Sequence, residues 1–183
     1  MYRLFSAITL PADTAQRLAL MGGGIPGARW VARENLHVTL RFIGDVDVRT
    51  ADQVHASLQE VAFEPFHLQL RNIGVFGERI PRLLYAGVEP DGPLKALYAR
   101  INAAHARAGL PPPAERRYVP HVTLARLRNS PRDRIGAFMA AQNIFQLPTF
   151  PVENFVLMSS HRSASGASYQ IEARYPLEQQ AIK

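Results

Sequence analysis

The sequence predicts an α+β protein in which two antiparallel-rich sheets, with helices outside them, face each other across a central cleft in a pseudo-twofold arrangement. Three observations lead there. Segments of strand period and helix period alternate from end to end of the 183 residues. The tetrapeptide His-Val-Thr-Leu occurs twice, starting at His37 and at His121, 84 residues apart and so separated by close to half the chain, and each copy reads as a strand leading through a short polar turn into a helix. Finally, 47% of the residues are apolar and neither a low-complexity segment nor an obvious linker interrupts them. Residues 1–183 are therefore expected to form one bilobal domain with one His-x-Thr-x motif in each lobe.

Element by element, Tyr2 to Thr9 alternates as a strand. A helix runs from Pro11 to about Met21, with proline in its first turn and Gly22-Gly23-Gly24 as its stop. Strand signals return at Arg29 to Ala32 and Leu36 to Ile43. A helix from Val48 to Val61 puts Ala51, Val54, Leu58 and Val61 on one face. Two strands, Phe66 to Ile73 and Leu83 to Val88, flank the turn-rich Gly74 to Arg82 and are expected to pair. From Pro93 to Ala108, Leu94, Leu97, Tyr98, Ile101 and His105 recur at helical spacing until Gly109 and three prolines end the helix. The loop Gly109 to Pro120 leads into the second motif strand. Ser130-Pro131 with Asp133 predicts the N-cap and first turn of a helix reaching Gln142. Phe150 to Ser160 and Tyr169 to Tyr175 complete the strands around a loop, His161 to Ser168, rich in serine and glycine.

Composition narrows the function. No apolar run reaches the roughly eighteen residues of a membrane span, and the first ten residues are too short and too interrupted for a signal peptide. A soluble cytoplasmic protein, acting as a monomer and without a membrane partner, is expected. The absence of cysteine excludes disulfides, thiolate metal ligands and thiol nucleophiles. A formal charge of +6, with 19 arginines among 21 basic residues, favours an anionic partner, because the planar guanidinium matches phosphate oxygens. Genomic base composition is the competing explanation for most of these arginines. The run Arg116, Arg117, Arg126, Arg128, Arg132 and Arg134 is harder to dismiss: it brackets the second motif with only Glu115 and Asp133 in opposition, which suits RNA or a nucleotide.

A period of two places His37 and Thr39 on one strand face and Leu36, Val38 and Leu40 on the other, and His121 and Thr123 stand likewise against Val122 and Leu124. A lone strand histidine is more often structural than catalytic. Six histidines form fifteen pairs, and at about 7% usage per residue type a shared following tripeptide arises by chance in roughly one chain of this kind in two hundred. Facing one cleft, the two motifs would bring two imidazoles and two hydroxyls around one phosphate. Neither motif carries a carboxylate on the face of its histidine, and catalytic zinc usually takes three protein ligands, so no metal and no cofactor is expected. His55 and His105 fall in helices, His67 in a strand and His161 in a loop, all with structural or solvent-facing roles. No Walker loop, Gly-x-Gly-x-x-Gly or nucleophile elbow is present.

Two His-x-Thr-x motifs in separate halves of a small cysteine-free chain resemble the 2H phosphoesterase superfamily. The flanks resemble the bacterial and archaeal RNA 2′,3′-cyclic phosphodiesterases, the 2′-5′ RNA ligase-like proteins: Arg3 to Ile8, Trp30-Val31, Asn35 to Gly44, Pro120 to Arg126, and Gly166 with Tyr169. The likeness spans nearly the whole chain. It implies hydrolysis of an RNA 2′,3′-cyclic phosphate end to a 2′-phosphomonoester, with weak ATP-independent 2′-5′ joining of RNA ends. It also implies His37 as proton donor and His121 as proton acceptor. Such a reaction needs an acid, a base and donors for the charge on a phosphorane, and Thr39, Thr123 and an arginine suit the last role. Strict alternation puts Arg41 on the face of His37, whereas the resemblance favours Arg126, which alternation turns away unless the strand bends near Ala125. Phe5 and Tyr169 are candidates to stack on a terminal base, with core packing as the competing role for both. Two other readings stay open: an RNA-end-binding module without turnover, and the same chemistry on a small cyclic nucleotide or an ADP-ribose cyclic phosphate.

Overall fold

A computed structural model describes residues 1–77, 79–114, 117–163 and 166–178. Strands and helices follow one another in the order β1 (Tyr2–Thr9), α1 (Ala12–Leu20), β2 (Ala28–Trp30), β3 (His37–Val46), α2 (Val48–Gln59), β4 (Phe66–Phe76) and β5 (Leu83–Glu89). Then come α3 (Gly92–Arg107), β6 (His121–Leu127), α4 (Arg132–Ala141), β7 (Phe150–Val152), β8 (Asn154–Ser163) and β9 (Gly166–Pro176). The periodicity reading thus recovers the order of elements, and β4 and β5 pair as expected. Several details differ: β3 runs on to Val46, and β9 begins at Gly166, within the expected loop. The segment from Phe150 divides at Glu153 into β7 and β8, and β8 continues through His161, which lies on a strand and not in a loop. Pro131, not Ser130, occupies the N-cap of α4, and no side chain caps that helix. Strand β4 runs on through Gly74 to Phe76, past the expected start of the turn.

The strands line up as β7-β4-β5-β6-β3-β1-β8-β9, all neighbours antiparallel, with β2 on the edge of β6. This order has a centre. The half β7-β4-β5-β6 meets the half β3-β1-β8-β9 through one residue pair, Val38 opposite Val122, in the middle of the two motifs. Beneath that seam lies the main core: Val38, Leu40, Val122 and Leu124 are at most 2% exposed and share one cluster with Leu18 of α1, Val54 and Leu58 of α2, Leu94 and Ile101 of α3, and Ile135 of α4. The opposite face holds a smaller cluster, Phe5 and Ala7 of β1 with Val156 and Met158 of β8. Among the described residues no helix is long and apolar enough to cross a membrane.

Strict alternation fails at an equivalent place in each motif strand, and in β3 again at Ile43. In β3, Thr39 pairs with Ala7 and Arg41 with Ser6, leaving Leu40 as an extra residue; in β6, Thr123 pairs with Tyr85 and Ala125 with Leu84, leaving Leu124 extra. Each is a β-bulge, in which two residues oppose one and the side-chain phase inverts beyond the bulge. Burial follows it: Leu40 and Arg41 are both buried and Phe42 is exposed, just as Leu124 and Ala125 are buried and Arg126 is exposed.

Candidate active site

His37 and His121 open β3 and β6 and are held in the same way. The Nδ1 of His37 donates to the carbonyl oxygen of Asn35 at 2.7 Å, and that of His121 to the carbonyl oxygen of Val119 at 2.8 Å. A carbonyl only accepts, so each neutral ring carries its proton on Nδ1 and leaves the Nε2 lone pair for chemistry. The Thr39 hydroxyl lies 3.0 Å from Nε2 of His37. An antiparallel register centred on Val38 and Val122 directs His37 toward Thr123 and Thr39 toward His121. The cavities agree: His37, Thr39 and Thr123 line one of about 570 Å³, and Thr39 and His121 line an adjoining one of about 170 Å³.

Two aromatic rings clasp each imidazole. Phe5 and Tyr169 approach His37 with centroids 5.0 and 5.2 Å away, and Phe76 and Tyr85 approach His121 at 4.9 and 5.6 Å. Gly74 makes the second clasp possible, because a Cβ there would lie 2.4 Å from the Tyr85 ring and hydroxyl. Removal from water disfavours the charged ring, and this lowers the pKa of both histidines below the ordinary value against the opposing effect of their carbonyl partners. The charge of His121 adds a smaller lowering at His37.

Arg126 lines the larger cavity with His37, Thr39 and Thr123, and His121 lines the smaller one beside Thr39. Arg41 lines neither. The bulge at Leu40 turns it to the core side, where it is 4% exposed, Nη1 donates to Asn102 Oδ1 at 2.8 Å and Nη2 donates to the carbonyl of Pro111. Phe5 is 3% exposed and packs its ring on His37 and Tyr169, and both Phe5 and half-buried Tyr169 line the larger cavity. The basic run divides: Arg126 and Arg128 line the larger cavity, Arg117 lines the smaller one, and Arg132 donates to the carbonyl of Arg79. Arg116 and Glu115 lie outside the described residues. Sequence reasoning missed Phe76, Tyr85 and Arg29 at the site, since only strand pairing brings them there. His105 is fully buried against Ser57, and His55 bonds the Tyr175 hydroxyl, in keeping with structural roles.

A two-lobed antiparallel fold with paired histidines across its seam has known counterparts. The family model of the 2′-5′ RNA ligase superfamily matches residues 11–164, and the chain belongs to that superfamily. A relative from Aquifex aeolicus named RNA 2′,3′-cyclic phosphodiesterase is 29% identical over 153 residues, covering 81% of each chain. Among solved structures, the protein TT0787 of Thermus thermophilus superposes with a TM-score of 0.79 at 26% identity, covering 98% of this chain and 100% of that one. The E. coli protein LigT complexed with 3′-AMP does so with 0.77 at 26% identity, covering 97% and 99%.

Proposed function

We propose that this chain hydrolyses RNA 2′,3′-cyclic phosphate ends to 2′-phosphomonoesters without a metal ion, each lobe lending one motif. The observation that carries this reading is the pair of imidazoles, each with its Nε2 lone pair freed by a carbonyl at Nδ1, set about one strand seam. His121 takes a proton from water as it attacks phosphorus, and His37 gives a proton to the departing ribose 3′ oxygen. The order of these roles rests on family resemblance, since the geometry is nearly symmetric. Thr39, Thr123 and Arg126 stabilise the charge gathering on the phosphorane oxygens, and Tyr169 offers its ring to the terminal base. Attack by an RNA 5′-hydroxyl in place of water uses the same groups and forms a 2′-5′ linkage. The names carried by curated relatives support the substrate class.

The test is incubation with a nucleoside 2′,3′-cyclic phosphate and with an RNA bearing that terminus, the product phosphate being located by NMR. A 2′-phosphate from both is expected, with activity intact after exhaustive chelation; loss restored by a divalent ion overturns the metal-free part. His37→Ala and His121→Ala should each lower kcat by about 10²–10⁴, and the double variant by much less than the product of the two. Thr39→Ala and Thr123→Ala should cost less. Near-normal turnover by His121→Ala ends the two-histidine mechanism.

A further inference from the structure

Arg29 of β2 and Arg126 of β6 are direct cross-strand partners, and both side chains line the larger cavity together with Arg128, which follows the last residue of β6, Leu127. Like charges set opposite each other in an antiparallel pair destabilise it. Elsewhere the protein relieves such charges: Arg3, at the same cavity, pairs with Asp45 at 3.2 Å and lies over the Phe42 ring. Among the described residues no carboxylate pairs with Arg29, Arg126 or Arg128, and no carboxylate lines the cavity. One reacting phosphate does not call for three guanidinium groups in a row. The row leads away from Thr123, with Arg128 just past the end of β6 at Leu127.

We infer that Arg29 and Arg128 hold internal phosphates of an RNA strand on the 5′ side of the reacting terminus, so that the protein prefers a polymer end to a mononucleotide. This rests on the proposed hydrolysis, which supplies the placement of the terminal phosphate near Thr123 and Arg126. The backbone fixes the row firmly. The β2–β6 ladder pairs Ala28, Arg29 and Trp30 with Leu127, Arg126 and Ala125, and the N–H of Arg128 donates to the Gly27 carbonyl at 3.1 Å. An extended chain leaving the cavity along β6 therefore meets donors at a fixed spacing. A small substrate ends before it reaches Arg128.

Arg29→Gln, Arg128→Gln and the double variant test this with three substrates: a nucleoside 2′,3′-cyclic phosphate, a short RNA ending in one, and ADP-ribose 1″,2″-cyclic phosphate. For the RNA, kcat/KM should fall about tenfold or more further than for the nucleoside, mainly through KM, as loss of charge-assisted bonds to phosphate implies. Binding of the product RNA, with its 2′-phosphate end, should lose about 0.7 in salt slope per arginine removed. Thermal midpoints should hold or rise as the like-charge opposition is relieved. Equal losses on nucleoside and RNA, or an unchanged salt slope, overturn the inference, and a selective loss on the ADP-ribose substrate assigns the row to a pyrophosphate instead. If the parent protein hydrolyses none of the three, the hydrolytic reading fails, and the salt slope for product RNA still decides the role of the arginines.

Discussion

Arg41→Ala and Arg126→Ala test the paired bulges, because the two arginines stand on opposite sides of the sheet although alternation makes Arg41 the cleft residue. Arg41 donates to Asn102 Oδ1 at 2.8 Å and to the Pro111 carbonyl, and its backbone N–H donates to Ser6 Oγ at 3.2 Å. Truncation removes these side-chain bonds. Each charge-assisted bond contributes about 1.5–3 kcal/mol, but Pro111 is exposed and its carbonyl can turn to water. A net loss of about 2–4 kcal/mol follows, which for a chain of this length lowers the melting temperature by roughly 5–15 °C. Arg126 is exposed, and its removal should change stability by no more than about 0.5 kcal/mol. Its kcat should fall about 10²–10³, the cost of losing one donor to a transition-state oxyanion. Thermal denaturation and hydrolysis of a nucleoside 2′,3′-cyclic phosphate, assayed well below both midpoints, read the two effects separately. A 10²-fold activity loss in Arg41→Ala at an unchanged midpoint, or full activity in Arg126→Ala, refutes the assignment of faces.

Both catalytic candidates have pKa values pushed below 6.5, so the bell-shaped pH profile of kcat/KM, which reports the free enzyme, should centre on the acid side of 6.5. A bound phosphate anion favours imidazolium and should move the kcat profile toward neutrality; a kcat/KM still climbing at pH 8 contradicts this. His105, whose pKa burial lowers to about 4 with the Arg41 charge adding to the effect, makes stability pH-dependent. The unfolded chain takes up that proton first, so the contribution is whole above pH 6.5 and is lost as pH falls toward 4. It amounts to about 3 kcal/mol at 1.4 kcal/mol per unit. His105→Asn should flatten the slope in denaturant titrations across that window, and a slope equal to that of the parent protein would discard the idea. Gly74→Ala should push the Tyr85 ring off Phe76 and His121, at about 1–3 kcal/mol in stability and a 2–10-fold lower kcat. Unaltered kcat at a lowered midpoint would limit Gly74 to packing.

The sequence by itself determined the order of elements and the face on which each motif histidine and threonine sits, because those follow from local period. Val38 and Val122 face the core and His37 and His121 do not, and only two strand steps need be right for that to hold. It also determined that the helix at Gly92–Arg107 ends before the prolines, as loss of backbone donors requires. Beyond the motif, period counts residues whereas the sheet counts paired positions. One extra residue at Leu40 and another at Leu124 therefore exchanged the faces of Arg41 and Arg126 with their neighbours, and only the ladders with β1 and β5 reveal it. Pairing over long sequence separation also set Arg29 against Arg126 and brought Phe76 and Tyr85 to His121. The run of arginines that looks continuous in sequence was likewise divided by tertiary structure: the chain leaves the sheet after Leu127 and enters α4, so Arg128 stays at the cavity while Arg132 bonds a distant carbonyl. Charges close in sequence share a field only when the backbone keeps them on one surface.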